Sequence, residues 1–323
     1  MAKLYFLPGA RLKDSGRLLR CGWWLEGLLV GLLLGLLRRL PLDRASRLAG
    51  RLLAALGPRT GIQTKLLRNL AVLHPDEPID VLRERARRSF RWAGVSIAEM
   101  AHLEDIVARQ AQLVEFEAHP SAEAALRTPD QAAVLVTAHV GAWTLSNLIA
   151  AHYDFPLSIV YAPESNPRIR DRILALRSAL PVTLIERDGS LRGLLRELGR
   201  GHRVGLATDV RLDGGPLVPL CGHPMETNTV PARLALRSGC PLIPIRALRL
   251  PNGRFRVRAE AVIEADDPQA DSETRILQMT TKLSQEYERW IREAPEQWMC
   301  LARRWPKAVE LAALDQARAL ARR

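Results

Sequence analysis

The sequence has only four cysteines in 323 residues, and none of them forms a C-x-x-C pair. Cys21, Cys221, Cys240 and Cys300 are widely separated, and no histidines stand near them at the spacing of a zinc site. We therefore expect reduced, structural thiols in a protein that faces the cytoplasm. The seven histidines likewise have no second ligand at metal-binding spacing, so the sequence predicts no metal site.

Several catalytic motifs are also missing. No G-x-S-x-G occurs, which argues against a serine nucleophile of the hydrolase type. No P-loop and no G-x-G-x-x-G follows a predicted strand, which argues against a nucleotide cofactor. Only one stretch approaches membrane-spanning length, so the chain is not a polytopic membrane protein. A hydrophobic share of 47% with 25% charged residues excludes a disordered chain, and the length suits one large α/β domain or two modest ones.

What the sequence does have is a basic charge confined to one end. The formal net charge is +12, and residues 1–72 contain thirteen Lys and Arg against three Asp and Glu. The rest of the chain is nearly neutral. A basic excess of this kind points to a localised anionic partner rather than to a protein that is basic throughout.

The same end contains the one long apolar segment, Cys21–Leu37, in which Glu26 is the only charged residue. Its uncharged part, Gly27–Leu37, is about 16 Å long as a helix, against about 30 Å for the hydrocarbon core of a bilayer. Trp23-Trp24 on one side and Arg38-Arg39 on the other resemble interfacial anchors. This pattern predicts a short membrane anchor that either spans the bilayer or lies in its interface.

Two other interpretations of this segment stay open. A cleaved signal peptide is disfavoured because Pro41 and two arginines follow in place of a small-residue cleavage site. A buried helix of a soluble protein is the second alternative.

Gly27, Gly31 and Gly35 have the spacing that lets helices approach closely. Basic residues recur after the anchor and suit anionic headgroups, whereas their interleaving with Leu and Trp argues against nucleic acid. These residues are Arg44, Arg47 and Arg51.

Beyond the anchor, the pattern predicts helices over residues 43–116 and then an α/β alternation. Short apolar runs typical of buried parallel strands occur at 132–139, 157–162, 182–187, 204–209 and 241–250. A turn at Pro251-Asn252-Gly253 leads into 254–263 as an antiparallel partner of 241–250. We expect a mixed, mostly parallel sheet flanked by helices. The predicted organisation is a basic anchor segment at 1–42, an α/β domain at 43–307 and a helical tail at 308–323.

Two of the predicted strands end at ionisable residues, His139 and Asp209. In open α/β sheets, ligands gather at the carboxyl ends of the strands, so a histidine there is well placed to act as a general base. The alternative is a structural histidine that caps the turn. Gly141 follows it and gives a tight exit from the strand. Arg177 and Arg211 are candidates for binding phosphate or a developing oxyanion.

At this point the residues resemble a known family. TAHVGAWTLSN (137–147) is similar to the H-x4-D/E block of glycerolipid-type acyltransferases, and most of all to that of the bacterial late lipid A acyltransferases. Four further blocks follow in the family's order. They are YAPESNPRI (161–169) with Arg177 downstream, GHRVGLATDVRLDGGPLVPLCG (201–222), METNTVPARLALRSGCPLIPI (225–245) and APEQWMCLARRWPK (294–307).

The resemblance implies a glycerolipid acyltransferase-like fold with a single N-terminal anchor, acting at the cytoplasmic face of the bacterial inner membrane. It implies transfer of a fatty acyl chain from acyl carrier protein to a hydroxyl of a lipid A precursor or a related lysolipid, without a cofactor. His139 would be the general base, and the acid five positions on would orient it. The implied partners are acyl carrier protein, the lipid acceptor and the membrane surface.

The sequence departs from the family at that acid, because the position is occupied by Thr144. Ala162 and Ala302 also replace an arginine and a histidine of the family blocks. Three interpretations follow. Another carboxylate serves His139, with Asp209 the first candidate; or the acceptor differs from lipid A; or the protein is a non-catalytic relative that binds lipid and has lost its catalytic acid.

Overall fold

A computed structural model of the protein describes residues 16–299 and 302–322. The first fifteen residues, which include four charged positions of the basic segment, lie outside the described residues. So does Cys300, one of the four thiols that the sequence predicts to be structural. Of the other three, Cys21 is exposed and Cys221 is buried, and all three are free.

The described chain forms helices first and an α/β alternation afterwards. The α-helices are α1 Gly16–Arg38, α2 Leu42–Leu56, α3 Ile62–Leu73, α4 Ile79–Ala101, α5 Leu103–Ala108, α6 Gln110–Leu113, α7 Pro120–Arg127, α8 Ile149–His152, α9 Pro167–Arg177, α10 Ser190–Gly199, α11 Val230–Ser238, α12 Ser272–Glu293 and α13 Lys307–Leu320. The strands are β1 Val114–Ala118, β2 Ala133–Thr137, β3 Leu157–Tyr161, β4 Thr183–Glu186, β5 Arg203–Ala207, β6 Leu217–Leu220, β7 His223–Glu226, β8 Leu242–Arg249 and β9 Phe255–Ala259. Short 3-10 turns join several of them.

Seven of these strands form one sheet in the order β1-β9-β8-β2-β5-β3-β4. Every neighbouring pair is parallel except β8 and β9, which are antiparallel. The central strands β2 and β5 are continuous apolar runs, which suits a parallel sheet covered by helices on both faces. The predicted mixed, mostly parallel sheet is confirmed, and so is the antiparallel pair at 241–263.

The expectation that residues up to 116 are helical is wrong at its end. Val114–Ala118 is β1, an edge strand that pairs with β9 in parallel. Its sequence, VEFEA, alternates apolar and acidic residues, as a half-exposed strand does. β6 and β7 form a separate two-stranded antiparallel ribbon that the apolar runs do not indicate.

α1 is the one described helix that is long and apolar enough to cross a membrane, with a mean hydropathy of 1.4 over its most apolar stretch. It packs against the body of the protein. Leu34 and Leu37 join a small core with alanines of α2 and α4. Gly27 and Gly31 lie against α9, whereas Gly35 has open space beside it, so only part of the predicted glycine face is used for close approach.

α2 crosses α4 at close range because Gly94 has no side chain. A Cβ atom at Gly94 would lie 2.3 Å from the carbonyl oxygen of Ala49 in α2. α13 also contributes to the main core, where Leu314 and Ala317 are buried beside α3. α3, α4 and α13 therefore share the main core with Val134 and Val136 of β2 and Val204 of β5, on one face of the sheet.

Gly94→Ala is expected to destabilise the protein. The added methyl group meets backbone, which cannot rotate away, and overpacking of this kind costs about 1–3 kcal/mol. Gly193→Ala in α10 is the matched control, because a Cβ there would make ordinary contacts of 3.5 Å with Ile185. Urea unfolding in a mild detergent should show a lower free energy of unfolding for Gly94→Ala and an unchanged or higher one for Gly193→Ala. Equal stability of the two variants would contradict the close crossing.

Candidate active site

His139 and Asp209 meet because β2 and β5 are parallel neighbours in register. Thr137 at the end of β2 pairs with Ala207 at the end of β5, and each ionisable residue follows two positions later. The two side chains therefore leave the same edge of the sheet, although they are 70 residues apart in sequence. This is the edge at which ligands bind in open α/β sheets.

The two side chains form a short hydrogen bond. His139 Nδ1 lies 2.6 Å from Asp209 Oδ1. Asp209 is 2% exposed, and its second oxygen, Oδ2, accepts a hydrogen bond of 2.8 Å from Trp298 Nε1. Both carboxylate oxygens thus have a donor inside the protein, which is the condition for burying such a group.

A third group, Arg304, offsets the charge of Asp209. Its guanidinium lies 3.7 Å from Asp209 Oδ2 and 5.2 Å from the centre of the Trp298 ring. Burial alone would raise the pKa of the Asp209 carboxyl, but His139, Arg304 and the Trp298 N–H together hold that pKa well below its usual range. Asp209 is therefore a carboxylate at neutral pH, and it can only act as hydrogen-bond acceptor for the imidazole N–H.

The C-terminal segment also fixes the backbone that carries His139. The Met299 N–H donates to the carbonyl oxygen of His139 at 2.8 Å, and Val140 forms an isolated β-bridge with Trp298. Gly141 has φ +66°, and a Cβ atom there would lie 2.4 Å from the carbonyl oxygen of Ala247. Glycine is thus needed at position 141 for the sharp turn of the backbone after β2.

A cavity of about 240 Å³ opens beside His139. Its wall includes Trp143, Thr144 and Arg177 together with the histidine. Most of the remaining wall is apolar and comes from β2, β3, β5 and β8 and from the segments that follow β2 and α9. These apolar residues include Leu135, Ile149, Leu157, Ile159, Leu180 and Ile245. An apolar cavity with a few polar groups at one side is typical of a site for a small or elongated apolar ligand.

Thr144 and Arg177 both line this cavity. Arg177 is about one-fifth exposed and forms a loose ion pair of 3.9 Å with Glu164. One guanidinium nitrogen, Nη1, is buried without a hydrogen-bond partner among the described residues. Ala162, which replaces an arginine of the resembled block, lines the same cavity. The cavity wall therefore has one cation with an unused donor.

Arg211 is placed elsewhere. Its guanidinium pairs with Asp213 at 2.7 Å and also with Glu226 of β7. These contacts fasten the loop after β5 to the ribbon of β6 and β7, and Arg211 does not line the cavity beside His139. The structure thus brings together His139, Asp209, Thr144, Gly141 and Arg177, and it leaves Arg211 in a separate ion-pair cluster.

Sequence reasoning missed Trp298 and Arg304 as partners of Asp209. Trp298 packs against Trp305 with ring centres 5.9 Å apart. Its indole N–H nevertheless belongs to the Asp209 hydrogen-bond network. The only available signal was the terminal block at 294–307, because nothing in local spacing links these residues to a strand end 89 positions earlier.

The family model described as bacterial lipid A biosynthesis acyltransferase matches residues 13–307, which is most of the chain. No curated protein is similar enough to be matched.

Arg304 is expected to stabilise the protein mainly through the Asp209 charge. Arg304→Gln leaves a buried carboxylate short of its cation, and breaking such a pair costs about 3–5 kcal/mol. In an Asp209→Asn background the same change should cost less, with a coupling energy of about 0.5–3 kcal/mol. The exposed neighbour provides the control, since Arg303→Gln should change the free energy of unfolding by no more than about 0.5 kcal/mol. Equal costs of Arg304→Gln in both backgrounds would show that Arg304 does not act on Asp209.

Proposed function

The chain belongs to the bacterial lipid A biosynthesis acyltransferases, and from this premise we propose that it transfers a fatty acyl chain from an acyl-carrier-protein thioester to a hydroxyl group. The acceptor is a lipid A precursor or a related lysolipid. The reaction takes place at the cytoplasmic face of the inner membrane. The observation that carries this proposal is the contact of 2.6 Å between His139 and Asp209 beside an apolar cavity.

In the proposed mechanism, the Asp209 carboxylate accepts a hydrogen bond from the N–H at His139 Nδ1 and does not itself take the proton. This hydrogen bond leaves the lone pair of Nε2 free, so that nitrogen takes the proton of the acceptor hydroxyl as its oxygen attacks the thioester carbonyl. A tetrahedral intermediate forms and then collapses. The C–S bond breaks, and the imidazolium returns its proton to the departing thiolate. The charge of Asp209 stabilises the imidazolium while it exists.

The cavity supports the binding of the acyl chain, since its wall is mainly aliphatic. Arg177 is the cation beside it, with a guanidinium nitrogen that has no hydrogen-bond partner among the described residues. We assign to this nitrogen the binding of an anionic oxygen, either of the intermediate or of a substrate phosphate. Arg211 does not line the cavity, and its guanidinium is paired with Asp213 and Glu226. A substrate-binding role for Arg211 therefore rests on the sequence alone.

Asp209 also bears on the substitution at Thr144. The family places an acid at that position, whereas here a carboxylate from β5 contacts the histidine. This contact supports the interpretation in which Asp209 replaces the missing acid. The competing function is a non-catalytic lipid-binding relative, and Thr144 is the observation that favours it.

Acyl transfer from labelled acyl carrier protein to a lipid A precursor tests the mechanism directly. Wild-type protein should turn over, and His139→Ala should abolish general-base catalysis. Asp209→Asn should lower kcat by about 10³–10⁴, because an amide can stabilise the wrong imidazole tautomer and cannot offset the imidazolium charge. Arg318→Gln is the comparison, since Arg318 is exposed on α13 and does not line the cavity, and its kcat should stay within about threefold. Equal turnover by wild type and His139→Ala would disprove the mechanism.

Variants at Thr144 separate the enzyme from the non-catalytic relative. Thr144→Val should keep kcat within about tenfold, because Asp209 and not Thr144 holds the histidine. Thr144→Glu should not raise turnover, since it adds a charge to a mainly apolar cavity wall whose histidine already has a carboxylate. An inactive wild type that gains turnover through Thr144→Glu would instead show that activity lapsed with the family's acid.

A further inference from the structure

Glu26 is fully buried at the middle of α1, the helix with membrane-spanning length and composition. The Asn166 side-chain amide donates to Glu26 Oε2 at 3.2 Å and to the carbonyl oxygen of Trp23 at 3.0 Å. Asn166 is also fully buried, and its Oδ1 accepts from the Arg168 N–H at the start of α9. One asparagine therefore caps α9 and holds α1 at the same time.

The glycine face of α1 receives arginine side chains of α9. A Cβ atom at Gly27 would lie 2.7 Å from Arg168 Cβ, and one at Gly31 would lie 2.6 Å from the guanidinium carbon of Arg172. The absence of side chains at these glycines is what allows the arginines to lie there. The contact between α1 and α9 is thus polar and close at the centre of α1.

The contact continues to the end of α1. Leu37 is fully buried, and His102 Nε2 lies 3.0 Å from its carbonyl oxygen. The buried positions of α1 run from Gly22 to Leu37, which is about 24 Å of helix. Nearly the whole apolar part of α1 is therefore covered on one side by the protein itself.

The opposite face of α1 is apolar and exposed, and arginines stand at both of its ends. The large exposed side chains on it are Leu18, Trp24, Leu25, Leu28, Leu29, Leu32 and Leu36. Arg17 and Arg20 are exposed at the first end, and Arg38 and Arg39 at the second. A strip of this composition matches an interfacial helix with anionic headgroups around it.

α2 extends the same composition. Leu48, Leu52 and Leu56 are exposed on it. Arg44, Arg47 and Arg51 are exposed between them. Arginine and leucine side by side on one helix face suit the boundary between headgroups and acyl chains. The positive charge at this end of the chain thus accompanies exposed leucines on two successive helices.

We propose that α1 does not cross the bilayer but lies in the plane of its surface, docked on the protein body, with its exposed leucine face in the lipid. A spanning α1 would place Glu26 near the bilayer centre if it left the body, and Arg168 and Arg172 there if it stayed docked. Charged side chains at the bilayer centre are unfavourable unless they are paired or reach the interface. The in-plane arrangement keeps all three out of the hydrocarbon core. The inference rests on the membrane location proposed above.

This arrangement also places the candidate active site beside the lipid. α9, which holds α1 through Asn166, ends at Arg177 in the cavity wall, and Tyr161 and Ala162 line the cavity just before it. The segment that contacts the membrane helix is thus the segment that forms one side of the cavity. A lipid acceptor reaches the cavity from the bilayer along this segment.

Labelling from the two sides of a sealed membrane tests the in-plane helix. The four native cysteines are replaced by serine, and single cysteines are introduced as Gly16→Cys at the start of α1 and as Gly61→Cys before α3. Both glycines are exposed, with open space around them. A membrane-impermeant maleimide is applied to spheroplasts and to inverted vesicles. Both cysteines should be labelled in the same preparation. Labelling in opposite preparations would show that α1 spans, and recovery of the chain in the soluble fraction would also overturn the proposal.

A disulfide between α1 and α9 tests independently whether α1 stays docked on the protein body in the bilayer. In the cysteine-free chain, Gly27→Cys with Arg168→Cys would place two Cβ atoms 2.7 Å apart. A disulfide has a Cβ–Cβ distance of about 3.5–4.5 Å, so a separation of the two helices by about 1 Å allows the bond. The disulfide between the two cysteines should form on oxidation both in detergent and in membranes. Leu29→Cys with Arg168→Cys is the matched control on the exposed face and should not link. A cross-link that forms in detergent but not in membranes would show that α1 leaves the body, which would contradict docking. Acyl transfer in detergent tests the catalytic proposal separately.

Discussion

The hydrogen bond between His139 and the buried carboxylate of Asp209 sets the main constraint on this structure. Burying a carboxylate is unfavourable unless donors and a positive charge compensate it. Trp298 and Arg304 supply them, and both come from the C-terminal end of the described chain. The same segment bonds the backbone of His139 through Met299. The C-terminal segment is therefore required by the site as well as by the core.

In the proposed mechanism the acid that orients His139 is Asp209, whereas the block that residues 137–147 resemble leads us to expect it at Thr144. A carboxylate five residues after the histidine would reach it from the turn that follows β2, whereas Asp209 reaches it from the end of β5, the adjacent parallel strand. Either route satisfies the same chemical need, because only Nδ1 has to be held by an acceptor. In the proposed mechanism, Thr144 therefore lines the cavity and does not orient His139.

Much of the fold could be predicted from the sequence because buried parallel strands are apolar runs. β2, β5 and β8 were predicted within a few residues, and the turn at 251–253 correctly indicated the antiparallel partner of β8. β1 was missed because a half-exposed edge strand with two glutamates has no apolar run. The position of His139 at a strand end was also predictable, since it follows from the strand itself.

The partners of the site residues were not predictable in the same way. Trp298 and Asp209 are 89 positions apart, and Asn166 and Glu26 are 140 apart, so only the packed fold brings them together. In the sequence, Glu26 is the one charged residue of an otherwise apolar segment. In the structure it accepts a hydrogen bond from Asn166, the N-cap of α9, so this bond holds α1 against the helix that ends in the cavity wall.

The most direct test of the central claim is the tautomer of His139 in solution, read from the ¹⁵N chemical shifts of its two ring nitrogens in specifically labelled protein. Asp209 can only accept a hydrogen bond from the ring, so the neutral imidazole should carry its hydrogen on Nδ1, with Nε2 unprotonated and available as the base. Asp209→Asn should lose this preference. A wild-type His139 protonated on Nε2 would contradict the account, because the nitrogen assigned to take the proton of the acceptor would already be occupied.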